Sequence, residues 1–141
     1  MNAALPASEK YINRELSWLA FNRRVLEEAC NLAHPLLERV RFLSMFGARQ
    51  DDFFMTRVAG FKDELSSGGQ RRTLDGLTAQ EQLDLIHIRA RLTTSRAQRL
   101  LRESLIPALA DEGIRILRWE ELEEDERAFL LDQFATDAEA V

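Results

Sequence analysis

An all-α fold, a helical bundle of about four to five helices, is expected from three observations. Apolar residues recur at spacings of three and four along most of the 141-residue chain, the period of a helix buried on one side. Helix start and stop signals stand where that period begins and ends: Pro35, the Thr78 to Glu81 box and Gly113. Only Ile114 to Leu117 could be read as a strand, and it is too short to classify.

Residues 1–10 read as a loose arm. A first helix is expected from about Asn13 or Ser17 to Cys30, with Trp18, Phe21, Val25 and Ala29 on its inner face and Leu19 and Leu26 widening it. Asn31 to His34 is a connection, and Pro35 suits the first turn of a second helix. Leu36, Val40 and Leu43 mark that helix's inner face, with Leu37 and Phe46. The pattern is then interrupted by Gly47-Ala48-Arg49-Gln50-Asp51-Asp52, a polar knot read as a break. A third helix is expected from Gln50 or Asp51, with Phe54, Val58, Phe61 and Leu65 inward and the two aspartates at its positive end. Ser66 to Gly76, rich in glycine and serine, reads as a flexible loop. Thr78 and Glu81 form a capping box, opening one long helix over about 79–112 whose face runs through Leu83, Ile86, Ala90, Ala97, Leu100, Leu101 and Leu105. Thr93, Thr94 and Pro107 are possible bends, and Gly113 is a C′ stop. A last helix is expected over about Glu123 to Asp137, with Ala128, Leu131 and Ala135 on one edge and Leu130 and Phe134 on another.

Composition narrows the chemistry. One cysteine, Cys30, excludes an internal disulfide and a cysteine-based zinc site. Met1 to Pro6 has neither a basic region nor a long apolar run, so no secretory leader is expected. No stretch approaches a membrane span, and a cytoplasmic location follows as the default. The net charge of −5 is unevenly spread: from Glu120 onward nine acidic residues accompany one arginine, so the preceding 119 residues carry about +3. Of the 19 basic residues only Lys10 and Lys62 are lysines. Arginine suits bidentate pairing with phosphate or carboxylate, although genomic base composition produces the same bias.

No set of residues assembles a complete active site. Asp51 and Asp52 are neighbours that point about 100° apart on a helix, a poor grip for one metal ion. His34 is expected at a helix start or facing solvent, His87 at a helix boundary, and the two lack the spacing of a zinc site. Cys30 has no histidine near it in sequence. Ser66-Ser67-Gly68-Gly69 lacks the lysine and the following serine or threonine of a phosphate loop. Arg89, Arg96 and Arg99 share one helix face and Arg102 extends it, either as a solvated face or as an anion-facing stripe. Aromatic residues are not interleaved with them, which argues against single-stranded nucleic acid.

The wording of the chain carries more. Tyr11 to Asn22 (YINRELSWLAFN) and Arg24 to Ala29 (RVLEEA) resemble the opening of the polyphosphate kinase family. So does Pro35 to Ser44 (PLLERVRFLS). Asp51 to Gly60 (DDFFMTRVAG) is similar to the family's DEFF-x-VRVAGL. Asp75 to Thr78, Glu81 to Leu83, Leu105 to Leu109 and Glu112 to Ile114 continue the resemblance in register, from about Tyr11 to Phe134.

The resemblance implies reversible transfer of the terminal phosphate of ATP to a growing polyphosphate chain through a phosphohistidine. It implies a helical N-terminal domain over 1–117, with 118–141 the start of a head domain or a C-terminal helix. The catalytic histidine and the Mg²⁺ and phosphate residues belong to domains outside this chain. The chain itself is then expected to contribute no catalytic residue and no metal ligand, and to be inactive alone. Expected partners are ATP, ADP and polyphosphate, its own head and catalytic domains, and a second copy of the full-length protein; neither a membrane nor nucleic acid is expected. The family's ATP-touching asparagine lies in the string SSNLDEFF, which here reads Gly47 to Phe54, and its place is taken by Arg49. Arginine only donates hydrogen bonds, where asparagine also accepts, but it can stack on a base or pair with a phosphate. The alternative is a stand-alone or degenerate helical interaction module that keeps the fold without kinase activity.

Overall fold

The computed structural model describes residues 11–68 and 72–139; the expected loose arm at 1–10 lies outside them. The described residues are helical and contain no strand. They divide into two compact units, one ending at Leu105 and one beginning at Ile106.

In the first unit α1 spans Arg14–Cys30, α2 Leu36–Phe53, α3 Ala59–Ser66 and α4 Ala79–Leu100. The Asn13 side chain caps α1 by accepting from the Glu15 and Leu16 amides, both at 3.0 Å. Its NH₂ group donates to Asp75 at 2.9 Å and Gln82 at 3.0 Å. One cap thus ties α1 to the loop before α4 and to α4 itself. The expected capping box is present: the Glu81 amide donates to Thr78 Oγ1 at 3.2 Å and the Thr78 amide to Glu81 at 2.8 Å.

The polar knot is not a break. Gly47 to Asp52 lie inside α2, and helical backbone continues through a π turn at Phe54–Val58 into α3. Asp51 and Asp52 therefore sit in the last turn of α2 rather than at a helix start. Nothing in the knot stops a helix: it has no proline, and its glycine weakens a helix by only about 1 kcal/mol. The change of apolar phase that reads as a break is absorbed by the π turn. Phe53 and Val58 are five residues apart, which on a regular α-helix places them about 140° apart. The wider turn brings both inward, at 1% and 2% exposure. A second π turn at Leu101–Leu105 does the same for Leu100 and the fully buried Leu105, two residues before Pro107. Thr93 and Thr94 lie within regular α-helix, and the helical run from Ala79 ends at Asp111.

α1 packs against α2 and α4, and α3 against α4. One core cluster joins Leu19, Phe53, Val58, Leu83 and Ile86; the other joins Val25, Leu26, Ala29, Phe46 and Ala97. Burying each of the larger side chains contributes roughly 1.5–3 kcal/mol. The α1 face is rotated from the expected one: Phe21 is 51% exposed, while Asn22 is buried at 1%. Leu37 is likewise exposed. The rotation follows from α1 having neighbours on two sides. The loop read as flexible contains an organised turn from Thr73 to Leu77, closed by the Thr73 amide on Leu77 O at 2.9 Å and the Gly76 amide on Thr73 O at 2.8 Å, with Gly76 at φ +88°.

In the second unit α5 spans Ile106–Asp111 and α6 Glu124–Glu139, with a short 3₁₀ turn at Trp119–Glu121. Gly113 stops α5 at φ +81°, with the Ile114 amide returning to Leu109 O at 2.8 Å. Ile114 to Leu117 belongs to neither a helix nor a strand. The apolar residues expected on two edges of α6, including Leu130, Leu131 and Phe134, are exposed.

Candidate functional site

Arg49 lies one turn before the end of α2, on the flank that faces α1. Its guanidinium carbon sits 5.4 Å from the centre of the Phe21 ring, a cation–π distance. Both side chains are exposed, and Arg49 makes no ion pair among the described residues. The pair joins a cation and an aromatic ring, both open to solvent. Beneath it, Asn22 donates to Phe46 O at 3.2 Å across the α1–α2 contact, leaving Asn22 Oδ1 buried without a partner. One residue beyond Arg49, Gln50 donates to Thr94 Oγ1 at 2.6 Å and links α2 to α4.

The other candidates separate. Asp51 and Asp52 are exposed and diverge on unbroken helix. His34 is not an N-cap; Pro35 holds that place. The His34 ring lies 2.7 Å from Glu28 and 5.2 Å from the Phe42 ring, and that hydrogen bond holds the Glu28 carboxyl below its ordinary pKa. His87 stacks on Phe54 at 6.3 Å. Cys30 is half-buried, 3.7 Å from an Arg96 nitrogen. Ser66, Ser67 and Gly68 end α3, with both hydroxyls turned back on helix carbonyls, while Gly69 lies outside the described residues. Arg89, Arg96, Arg99 and Arg102 are exposed on α4 and the following π turn. Among the described residues no three metal-ligating side chains come together.

Four buried polar groups escaped the sequence reading, among them Gln82, 2% exposed and accepting from Asn13 at 3.0 Å. Glu15, 4% exposed, is paired with Arg14 at 2.7 Å and faces Arg57 at 3.6 Å. Arg39, 7% exposed, donates to Ala29 O at 3.0 Å and Ser104 Oγ at 3.2 Å. Asn22 occupies a core position. A visible signal existed for both α1 residues: Glu15 and Asn22 share the helical face of Leu19, Leu26 and Ala29.

Comparison with known proteins agrees with the motifs. The family profile described as the polyphosphate kinase N-terminal domain matches residues 11–117. The chain belongs to the polyphosphate kinase family. Polyphosphate kinase of Streptomyces coelicolor is 46% identical over 132 residues, covering 94% of this chain and 18% of that protein. Polyphosphate kinase of Mycobacterium tuberculosis is 46% identical over 127 residues, 90% of this chain and 17% of the relative. That of Mycolicibacterium gilvum is 47% identical over 126 residues, again 17% of the relative. The chain thus spans less than a fifth of the length of these polyphosphate kinases. No solved structure matches it. Among the described residues of this polyphosphate kinase domain, no helix is long and apolar enough to cross a membrane.

Proposed function

We propose that this chain is the N-terminal, nucleotide-covering domain of a polyphosphate kinase. In this reading the whole enzyme moves the terminal phosphate of ATP to a histidine outside this chain. The bond to the ADP oxygen breaks as a phosphorus–nitrogen bond forms. A terminal oxygen of polyphosphate then takes that phosphate, and the chain grows by one unit. Each step reverses. In this reading, as the family resemblance implies, Mg²⁺ and the catalytic residues belong to the other domains. The enzyme works in the cytoplasm as a homo-oligomer.

The role of this domain is to close one side of the nucleotide pocket through Arg49. The observation that carries this role is the exposed Arg49–Phe21 pair, standing where the family's string places its ATP-facing asparagine. The guanidinium lies at cation–π distance from Phe21 and is exposed to solvent, where it can meet a base. Its N–H groups are free to donate to a phosphate. Because phosphoryl transfer depends mainly on positioning and charge neutralisation, such a contact acts on nucleotide binding more than on the chemical step.

The test is ATP-dependent polyphosphate synthesis by the full-length enzyme. Arg49→Ala is expected to raise KM for ATP by roughly three- to tenfold with kcat little changed, the signature of lost uniform binding. Phe21→Ala, which removes the support under Arg49, is expected to act in the same direction. An unchanged KM in both variants would remove Arg49 from the pocket. Absence of synthesis with the catalytic histidine intact would overturn the kinase reading itself.

A further inference from the structure

α1 and α4 leave an open groove of about 430 Å³ between them. Leu19, Ala20 and Leu92 give it apolar surface, and Arg23, Arg89 and Arg96 give it charge. It lies on the far flank of α1 from the Arg49 site: Phe21 and Arg23 are two residues apart, about 160° around the helix.

The charges in this groove are incompletely met. The Arg89 side chain has no hydrogen bond or ion pair among the described residues. Arg23 and Arg96 approach the same oxygen of Glu27, at 3.5 Å and 4.0 Å. Both separations exceed the roughly 2.7–2.9 Å of a charge-assisted hydrogen bond. Two guanidinium groups from different helices therefore converge on one anionic oxygen without saturating it, and a third is unengaged. All three arginines and Glu27 are exposed, so an incoming anion reaches them without burying a charge. Arg89 and Arg96 lie two turns apart on one face, about 10 Å along the axis, which fits an extended polyanion better than a single phosphate. The groove residues include no aromatic ring to stack a base.

We propose that this groove binds a linear phosphate polyanion, an inorganic polyphosphate strand. Arg89 and Arg96 donate to successive phosphates, and Arg23 turns from Glu27 to the strand. The choice of polyphosphate over other phosphate chains rests on the kinase reading; the unmet charge of the groove does not.

Binding is measured by calorimetry with this chain, using long-chain polyphosphate and tripolyphosphate at low and raised salt. The long chain is expected to bind more tightly, with affinity falling as salt rises. The double variant Arg89→Ala, Arg96→Ala is expected to weaken binding at least about tenfold, through the loss of two phosphate contacts. Arg41→Ala, an equal charge change per residue on α2, is expected to leave affinity within about twofold. Glu27→Gln removes the competing carboxylate and is expected to tighten binding about two- to threefold, a gain that unfolding does not produce.

Absence of binding, an equal loss per arginine in Arg41→Ala, or weaker binding in Glu27→Gln would overturn the proposal. Equal affinity for polyglutamate would overturn its phosphate specificity. In the full-length enzyme the double variant is expected to raise KM for polyphosphate and leave KM for ATP unchanged. An inactive full-length enzyme whose N-terminal chain still binds polyphosphate refutes the kinase reading and supports the groove. An active enzyme whose N-terminal chain does not bind refutes the groove alone.

Discussion

Gly47→Ala tests the continuity of α2 through its sign. Gly47 lies in the interior of Leu36–Phe53, and its backbone φ is not positive; only Gly68, Gly76 and Gly113 are positive among the described glycines. A methyl group built on Gly47 meets nothing within 4 Å, so no neighbour has to move. The expected gain is then the intrinsic difference between alanine and glycine in a helix interior, about 0.8–1 kcal/mol. It comes largely from the reduced freedom of the unfolded chain. For a domain of this size that corresponds to a rise in Tm of roughly 3–4 °C. Thermal melts followed by helical circular dichroism measure it, with urea titration as a second reading. The urea midpoint is expected to rise with its slope unchanged, since the folded surface is the same. Were Gly47 instead at a turn with positive φ, the methyl group would strain the backbone and lower stability by about 1 kcal/mol or more. A fall in Tm would therefore refute the unbroken helix and restore a turn beside Arg49.

Two further perturbations probe how the helices are held. Arg39→Met keeps most of the side-chain volume but removes the donors to Ala29 O and Ser104 Oγ. Balancing those bonds against the relieved desolvation of a buried charge, the expected loss is about 2 kcal/mol, with coupling to Ser104→Ala of at least roughly 0.5 kcal/mol in a double-mutant cycle; a variant as stable as the parent would refute a stabilising role for the Arg39 hydrogen bonds. Burial pushes the Asp75 carboxyl up, but hydrogen bonds from the Thr73 hydroxyl, the Asn13 amide and the Asp75 and Leu77 backbone amides together bring it below its ordinary value. A carboxyl depressed on folding contributes stability above its unfolded pKa of about 3.8 and loses it as pH falls through the folded value. Asp75→Asn is therefore expected to lower Tm at neutral pH, with the gap to the parent closing as pH falls below that point; a gap constant with pH would show that the charge of Asp75 is not what matters.

The parts of the fold that could be read from sequence are those governed by local chemistry. Thr78 and Glu81 close a capping box with no help from the rest of the chain. Gly113 stops a helix because a left-handed residue is needed there. The face of α4 was legible because one phase of apolar residues holds from Leu83 to Ala97. The knot was misread because a π turn and a loop leave the same mark: a shift in apolar phase beside polar residues. Which of them forms is settled by whether Phe53 and Val58 can both reach one core, a tertiary fact. The exposure of Phe21 depends on the same kind of fact, since α1 turns to serve two neighbours. At the candidate site, Arg49 was legible only through family wording. Its aromatic partner comes from another helix, 28 positions earlier in the chain, and no spacing rule links the two. Arg23 joined Arg89 and Arg96 for the same reason: a groove between helices has no period in sequence.

Asn22 connects the two faces of α1. It is almost fully buried, and one of its oxygens has no partner among the described residues. A leucine there would bury more apolar area and leave nothing unpaired, so stability alone does not account for the asparagine. What the amide adds is direction. Apolar contacts between helices tolerate small rotations, whereas a hydrogen bond to Phe46 O, 3.2 Å away, sets how α1 is turned about its own axis against α2. Phe21 and Arg23 flank Asn22 and leave the helix on opposite sides. The same bond therefore sets where Phe21 meets Arg49 and where Arg23 meets the groove. Gln50 acts similarly one helix over, joining α2 to Thr94 of α4 while also leaving a buried oxygen unpaired. Asn22 breaks the ordinary rule of core composition, and the half-buried Gln50 stands next to Arg49. Such a local violation belongs where orientation matters more than stability.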